Sequence, residues 1–273
     1  MLDTMCRYIH VVQQEFRGNT MKTKIGFQLS SITPYLDTEE HIKDSLSKIA
    51  KIGYKYVQLQ GVPSQIDNQF LSEELKRNGL VCVATQEDYP FGFGENPEAA
   101  IERAVTCGCQ YLAFALIPRD VDDTEKLKAF AEKIRIIEEM VQKAGLIFSF
   151  HPIGSDYREM DGVPVFERLL ALMPDLHLTF CLQSAFGSTT EIADVFKQYE
   201  GKMELVHFKD NIILPDGKNQ LVPLGEGLHD WKPYYEMCTL HAVEYVFAEQ
   251  ERWTRDAFDC AQTCYDYLLK LRQ

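Results

Sequence analysis

No run of about 18 consecutive apolar residues, the length a membrane-spanning helix needs, occurs in this chain, which sets a membrane aside as a partner. Positive charge is scarce: 28 Lys and Arg stand against 41 Asp and Glu, for a formal net charge of −13. Binding to a phosphate backbone draws on clustered cations that release counterions, so nucleic acid is a poor partner for this sequence. Cysteine pairs spaced as CxxC are missing. The eight cysteines fall singly in apolar runs, as at Cys82, Cys181 and Cys238, or close together at Cys107 and Cys109 and at Cys260 and Cys264. In a chain this long they read as reduced core thiols, ahead of a zinc knuckle, and point to a cytoplasmic protein. No GxGxxG follows the first strand-like run, since Gly26 lies inside it, so the dinucleotide-binding fingerprint is absent. Residues 1–20 include basic side chains but neither an apolar stretch of about 7–15 residues nor a small-residue cleavage site, which argues against a secretory signal. They read as an N-terminal extension, helical or frayed, or as sequence upstream of a start at Met21. The second reading is preferred, and the folded domain is expected over 21–273.

What is present is the composition of an ordinary soluble domain, 45% hydrophobic and 25% charged over 273 residues. From Lys24 onward, short apolar runs alternate with longer amphipathic ones. The spacing predicts strands at Lys24–Ser30, Tyr56–Gln60, Val81–Gln86, Tyr111–Ile117, Leu146–His151, Leu176–Gln183, Met203–Asp210 and Tyr245–Glu251. Helices fall between them: Ile42, Leu46 and Ile49 recur at helical spacing and stop at Gly53, Phe70–Asn78 closes at Gly79, and Pro97–Thr106 opens on a proline tolerated in the first turn. The apolar stripe Leu127, Phe130, Ile134, Ile137 and Val141 is the longest. Further helices are expected at Val165–Met173, Glu191–Tyr199, Lys232–Leu240 and Asp256–Leu271. Eight strands alternating strictly with eight helices require parallel pairing with right-handed crossovers, and eight units in this length predict a single (β/α)8 TIM barrel.

In such barrels the chemistry sits at the C-terminal ends of the strands. The last polar residue of each strand gives a candidate list: Gln28, Gln58, Gln86, His151, Gln183, His207 with Lys209 and Asp210, and Glu249 with Glu251. A histidine at a strand end is commonly a hydrogen-bonded rim residue, but His151, His207 and Glu249 at corresponding positions form a set suited to Mn, Fe, Co or Zn. Arg252, after the eighth strand, is either loop surface or a substrate contact.

Several words in the chain resemble the sugar phosphate isomerase/epimerase superfamily of xylose-isomerase-like TIM barrels, which includes inosose dehydratases, ketose 3-epimerases and an AP endonuclease branch. They are Lys24-Ile-Gly-Phe-Gln-Leu, Ile52-Gly-Tyr-Lys-Tyr-Val-Gln-Leu, Phe150-His151-Pro152, Leu205-Val-His207-Phe-Lys209-Asp210, Val222-Pro-Leu-Gly-Glu-Gly and Ala248-Glu249-Gln250. The resemblance implies a divalent metal held at the ends of the fifth to eighth strands, here His151, Gln183, His207 and Glu249. It departs from the family where Gln183 replaces an Asp, where His151 stands at or beside a Glu position, and where Gln58 and Gln86 replace a Glu and a His. With one carboxylate in place of three, imidazole-tolerant Mn, Co, Fe or Zn is expected ahead of Mg, at a weak or altered site. Asp156 or Glu159 restores a charge if the loop after His151 folds inward.

By the same resemblance the chain is expected to be a metal-dependent sugar isomerase or epimerase, with dehydratase chemistry as a variant. Glu249 is the expected base, His151 its acid/base partner and Lys209 the group that stabilises an oxyanion. Asp210 orients Lys209 or a substrate hydroxyl. Gln28, Gln58, Gln86 and Arg252 bind a carbohydrate or polyol, Gly225 and Gly227 permit close backbone approach, and Trp231 offers a face to a sugar ring. The alternative is a catalytically reduced barrel that binds sugar without turning it over. A DNA-repair nuclease is disfavoured by charge and by the lack of that branch's additional histidines. Homo-oligomers, common in the family, are implied by analogy.

Overall fold

The computed structural model describes residues 23–273, so the extension expected over 1–20 lies outside the described residues. Eight strands form a closed barrel: β1 (Lys24–Gln28), β2 (Tyr56–Leu59), β3 (Val81–Asp88), β4 (Tyr111–Ala115), β5 (Ile147–His151), β6 (His177–Cys181), β7 (Leu205–Phe208) and β8 (Tyr245–Ala248). All neighbours are parallel, and β1 closes the ring on β8 with Gly26 opposite Phe247. The helices outside are α1 (Glu39–Ile52), α2 (Asn68–Arg77), α3 (Pro97–Thr106), α4 (Thr124–Lys143), α5 (Val165–Leu172), α6 (Ile192–Gln198), α7 (Lys232–Leu240) and α8 (Ala257–Leu271). No helix among the described residues is long and apolar enough to cross a membrane.

Local sequence accounts for the helix ends. Thr38, Asp67, Asn96, Asp123 and Asp256 each accept a backbone N–H of the following first turn, satisfying donors the helix cannot. The apolar stripe of α4 is buried from Leu127 to Val141 as expected. The seven cysteines among the described residues are buried and unpaired, in keeping with reduced core thiols.

Inside the barrel, side chains of period two stack in layers. At the lower end Lys24 Nζ meets Glu244 Oε1 at 2.7 Å, and the Tyr111 hydroxyl donates to Glu244 Oε2 at 3.2 Å. Ser149 and Thr179 hydroxyls meet at 2.8 Å in the layer above, and Gly26 makes room for the Phe247 ring. The upper layer is polar and holds the candidate site.

Six strands end earlier than the sequence pattern suggests, β1, β2 and β4 by one or two residues and β6, β7 and β8 in ways that bear on the site. β6 stops at Cys181, and Leu182–Ala185 turns into a short helix that carries Gln183 away from the strand line. β7 stops at Phe208, and Asp210–Ile213 pairs antiparallel with Asn219–Val222 in a separate hairpin. β8 stops at Ala248, although the Glu249 N–H still donates to Phe208 O at 3.1 Å and so keeps the barrel's register.

A Cβ on Gly26 would lie 2.4 Å from Phe247 Cε1, inside a packed ring of strands. Gly26→Ala is therefore expected to lower stability by about 1–3 kcal/mol in urea unfolding. Phe247→Leu in the same chain should return part of that loss, whereas an unperturbed Gly26→Ala protein would contradict the packing described.

Candidate active site

The upper layer is tied together by one chain of hydrogen bonds. Glu249, 4% exposed, accepts from Ser30 Oγ through Oε1 at 3.2 Å and faces His207 Nδ1 through Oε2 at 3.1 Å. His207 is fully buried, and its Nε2 lies 2.8 Å from Gln58 Oε1. Gln58 Nε2 donates to Gln86 Oε1 at 3.1 Å, Gln86 Nε2 donates to Gln60 Oε1 at 3.0 Å, and Gln28 Nε2 donates to the same Gln60 oxygen at 3.2 Å. Side chains from β8, β7, β2, β3 and β1 thus form a single arc around the mouth.

Lys209 supplies the positive charge. Its Nζ stands 3.3 Å from Glu249 Oε2 and donates to Glu251 Oε1 at 2.7 Å. Burial opposes the Lys209 charge, but the Glu249 and Glu251 carboxylates outweigh it and hold the ammonium protonated. Burial likewise works against an ionised Glu249, yet Lys209 and His207 hold its carboxyl well below the usual range. Glu251, farther out, is pushed up by burial and by the Glu249 charge, with Lys209 opposing.

His151 completes the arc. Its ring is 4.5 Å, centroid to centroid, from that of His207, and both its nitrogens are buried without a hydrogen-bond partner. Burial and the neighbouring His207 drive its pKa well below the ordinary histidine value, so the ring is neutral, with one donor and one acceptor. Gln28 Oε1 and Asp88 Oδ1 are also buried and unpartnered. An unmet buried polar atom costs about 1–3 kcal/mol, and four of them around one mouth mark where a polar ligand makes its contacts.

Gln28, Gln58, Gln86, His151, His207, Lys209 and Glu249 therefore meet as the sequence suggests. Other expectations are corrected. Trp231 is not a sugar platform: it is fully buried and stacked on Phe208 at 4.7 Å, beneath the loop and not in the mouth. Asp210 orients neither Lys209 nor a substrate hydroxyl, since the alternation that points His207 and Lys209 inward points Asp210 outward. There Oδ2 accepts from the Gly225 and Gly227 N–H groups at 3.1 and 3.2 Å, and Oδ1 accepts from Asn211 N–H at 2.9 Å. The close approach that Gly225 and Gly227 permit is to Tyr267 and Asp210. Arg252 is exposed, and Gln183 is half-buried; neither side chain has a hydrogen bond or ion pair among the described residues. Asp156 does not restore a charge to the mouth, because its carboxylate accepts from Ile117 and Ile153 N–H groups. Glu159 lies exposed in a small hairpin, bonded to Thr189.

Four residues of the mouth went unread: Ser30, Gln60, Asp88 and Cys181. Gln60 and Asp88 sit two residues beyond Gln58 and Gln86, so following the period of two one step along each strand finds them; Cys181 is the last residue of its strand, two before Gln183. Cys181 stands in register with His207, where burial pushes its thiol up. Asp88 is pushed up by burial and by the Glu249 charge.

A sequence profile described as xylose isomerase-like TIM barrel matches residues 46–245, most of the chain. The chain belongs to the xylose isomerase-like TIM barrel family. Among solved structures it is similar to a sugar phosphate isomerase/epimerase from Parabacteroides distasonis, at 17% identity and a TM-score of 0.74 over 92% of this chain and 95% of that one. It is also similar to the IolI protein with a bound zinc atom, at 15% identity and a TM-score of 0.69 over 91% and 98%. A D-allulose 3-epimerase from Methylomonas sp. matches at 10% identity and a TM-score of 0.72 over 92% and 98%. No curated protein matches the chain.

The family implies a divalent metal, and the donor set does not fit one. A ligating histidine offers a bare nitrogen lone pair, but both His207 nitrogens face oxygen acceptors. Glu249 Oε2 is already shared by His207 and Lys209. Among the described residues no three His, Cys, Asp or Glu side chains are grouped to hold a metal ion.

Asp210→Ala removes the acceptor for three backbone N–H groups. Hydrogen exchange at Gly225 and Gly227 should rise sharply, with a stability loss of about 3 kcal/mol. Unchanged protection at both glycines would contradict the anchoring role.

Proposed function

We propose that this barrel catalyses proton transfer next to a carbonyl of a carbohydrate, as a sugar isomerase or epimerase. The observation that carries the reading is Glu249: a buried, ionised carboxylate at the barrel mouth, beside a neutral His151 with both nitrogens free. The family assignment and the isomerase and epimerase named among the neighbours support the same reaction class.

Glu249 Oε1 receives only the Ser30 hydroxyl, so it keeps a lone pair for the proton. Substrate places its carbonyl oxygen against Lys209, which shifts an N–H from Glu249 to that oxygen. The transfer polarises the carbonyl and at the same time raises the basicity of Glu249, whose resting carboxyl is held too low for a strong base. Glu249 takes the proton from the adjacent carbon, and the C–H electron pair becomes the double bond of an enediolate whose negative oxygen the ammonium stabilises. Return of the proton to the neighbouring carbon isomerises the sugar, with His151 moving the hydroxyl proton between the two oxygens. Epimerisation takes its proton on the opposite face of the same carbon from the His151 N–H, and the proton left on Glu249 returns to His151 through water. Gln28, Gln58 and Gln86 hold the remaining hydroxyls. No step is routed through a divalent ion.

A second reading, a barrel that binds a sugar without turning it over, is favoured by the amides at Gln28, Gln58, Gln60 and Gln86, which bind hydroxyls but move no proton.

Incubation with a panel of ketoses and aldoses in deuterium oxide, followed by proton NMR, separates the two. Deuterium should enter a carbon next to the carbonyl of one sugar, and Glu249→Gln should slow that exchange by about 10²–10⁴-fold. Saturation transfer from the protein to a sugar with no exchange supports the binding reading, and exchange undiminished in Glu249→Gln contradicts the assignment of the base.

A further inference from the structure

The poor fit of the mouth to a divalent ion has a specific cause in this chain. Four side chains could supply ligands by position. Gln183 is uncharged, lies past the end of β6 in a helical turn, and its side chain has no hydrogen bond or ion pair among the described residues. His151 is neutral. His207 is engaged at Nδ1 by Glu249 and at Nε2 by Gln58, at 3.1 and 2.8 Å. Of these four, Glu249 is the one anionic donor, and its Oε2 already has an ammonium 3.3 Å away. Other groups near the mouth are no better. Glu251 is committed to the Lys209 ammonium at 2.7 Å. Asp156 is committed to two backbone N–H groups.

The electrostatic balance points the same way. Lys209 already stands between Glu249 and Glu251, and a divalent ion added at Glu249 would face that buried ammonium across a shared carboxylate oxygen. The ammonium cannot swing clear, because Glu251 fixes its Nζ from the outer side at 2.7 Å and the side chain is almost wholly enclosed.

We propose that Lys209 is a built-in cation: it occupies the electrostatic place of a divalent ion at Glu249 and excludes such an ion from this barrel. Glu251 is the positioning residue that holds it there. The inference rests on the proposed reaction only for the role given to the ammonium during turnover; the exclusion itself is a property of the resting protein.

Metal binding to the purified full-length protein tests it without reference to turnover. Protein prepared without chelator is analysed for metal content by plasma mass spectrometry, and equilibrium dialysis against Mn²⁺ and Zn²⁺ is run on the wild type and variants. The wild type should hold far less than one equivalent of metal, and its melting temperature should be unmoved by EDTA or by either ion. Lys209→Met unmasks Glu249 and should bind Zn²⁺ about tenfold or more tightly than the wild type, a gain that Glu249→Gln in the same chain removes. Gln183→Asp with Lys209 in place should gain nothing. If Lys209→Met does not fold, Glu251→Gln, which loosens the ammonium, carries the same expectation in weaker form.

Stoichiometric metal in the wild type overturns the proposal, as does a Lys209→Met protein that folds and gains no affinity, or a Gln183→Asp protein that gains it alone. A metal-free wild type that exchanges no sugar proton defeats the proposed reaction and leaves this inference standing; an active, metal-loaded wild type does the reverse.

Discussion

The contact on which the mouth of this barrel depends is the buried pair of Glu249 and Lys209, with His207 facing the same carboxylate oxygen. Each partner would be expensive to bury alone; together, with Ser30 and Glu251 meeting their remaining donors and acceptors, they form a charge cluster that stays ionised inside the protein. The low pKa direction of Glu249 and the protonated Lys209 follow from that arrangement, and burial together with the Glu249 charge raises Asp88 and Glu251.

The fold supplies the precision. Closure of β1 on β8 brings the loop after β1 onto the loop after β8: Gln250 N–H donates to Ser31 Oγ at 2.8 Å, and Trp253 Nε1 donates to Ser31 O at 2.9 Å. Ser30 is thereby set on Glu249. On the other flank, Asp210 gathers the Gly225 and Gly227 turn and seats Trp231 against Phe208, so the strand that carries His207 and Lys209 is braced from outside. The amide arc from Gln58 to Gln28 links three further strands to the same imidazole, which makes the position of His207 a property of the whole upper layer.

Much of this was legible in the sequence, because two periodicities write it there. Helical spacing from Leu127 to Val141 and the proline that opens Pro97–Thr106 mark elements the structure reproduces almost to the residue, and eight repeats of strand and helix name the barrel. The strand-end polar residues then converge because a closed parallel barrel leaves them nowhere else to point. What did not read correctly shares one physical origin. A strand's final residues can leave the sheet, and no local signal says where. Gln183 turns into a helix, and Asp210 passes to a hairpin whose glycine amides are the stronger attraction. Trp231 looked like a ligand platform because its loop is near the mouth, but an indole that can bury against Phe208 does so. Asp88 was missed because its strand runs two residues past the expected end at Gln86, Cys181 because Gln183 beyond it was taken as the strand-end group, and Gln60 because Gln58 was taken in its place.

The claim that an ammonium and not a metal ion holds the Glu249 carboxylate ionised is tested most directly by titrating Glu249 itself, by carbon-13 NMR of side-chain carboxyls in the metal-free protein. The arrangement described here expects the Glu249 resonance to titrate well below the ordinary carboxylate range in the wild type and to move upward in Lys209→Met. A Glu249 that titrates at or above the ordinary value in metal-free wild type, or that ignores the loss of Lys209, would contradict it.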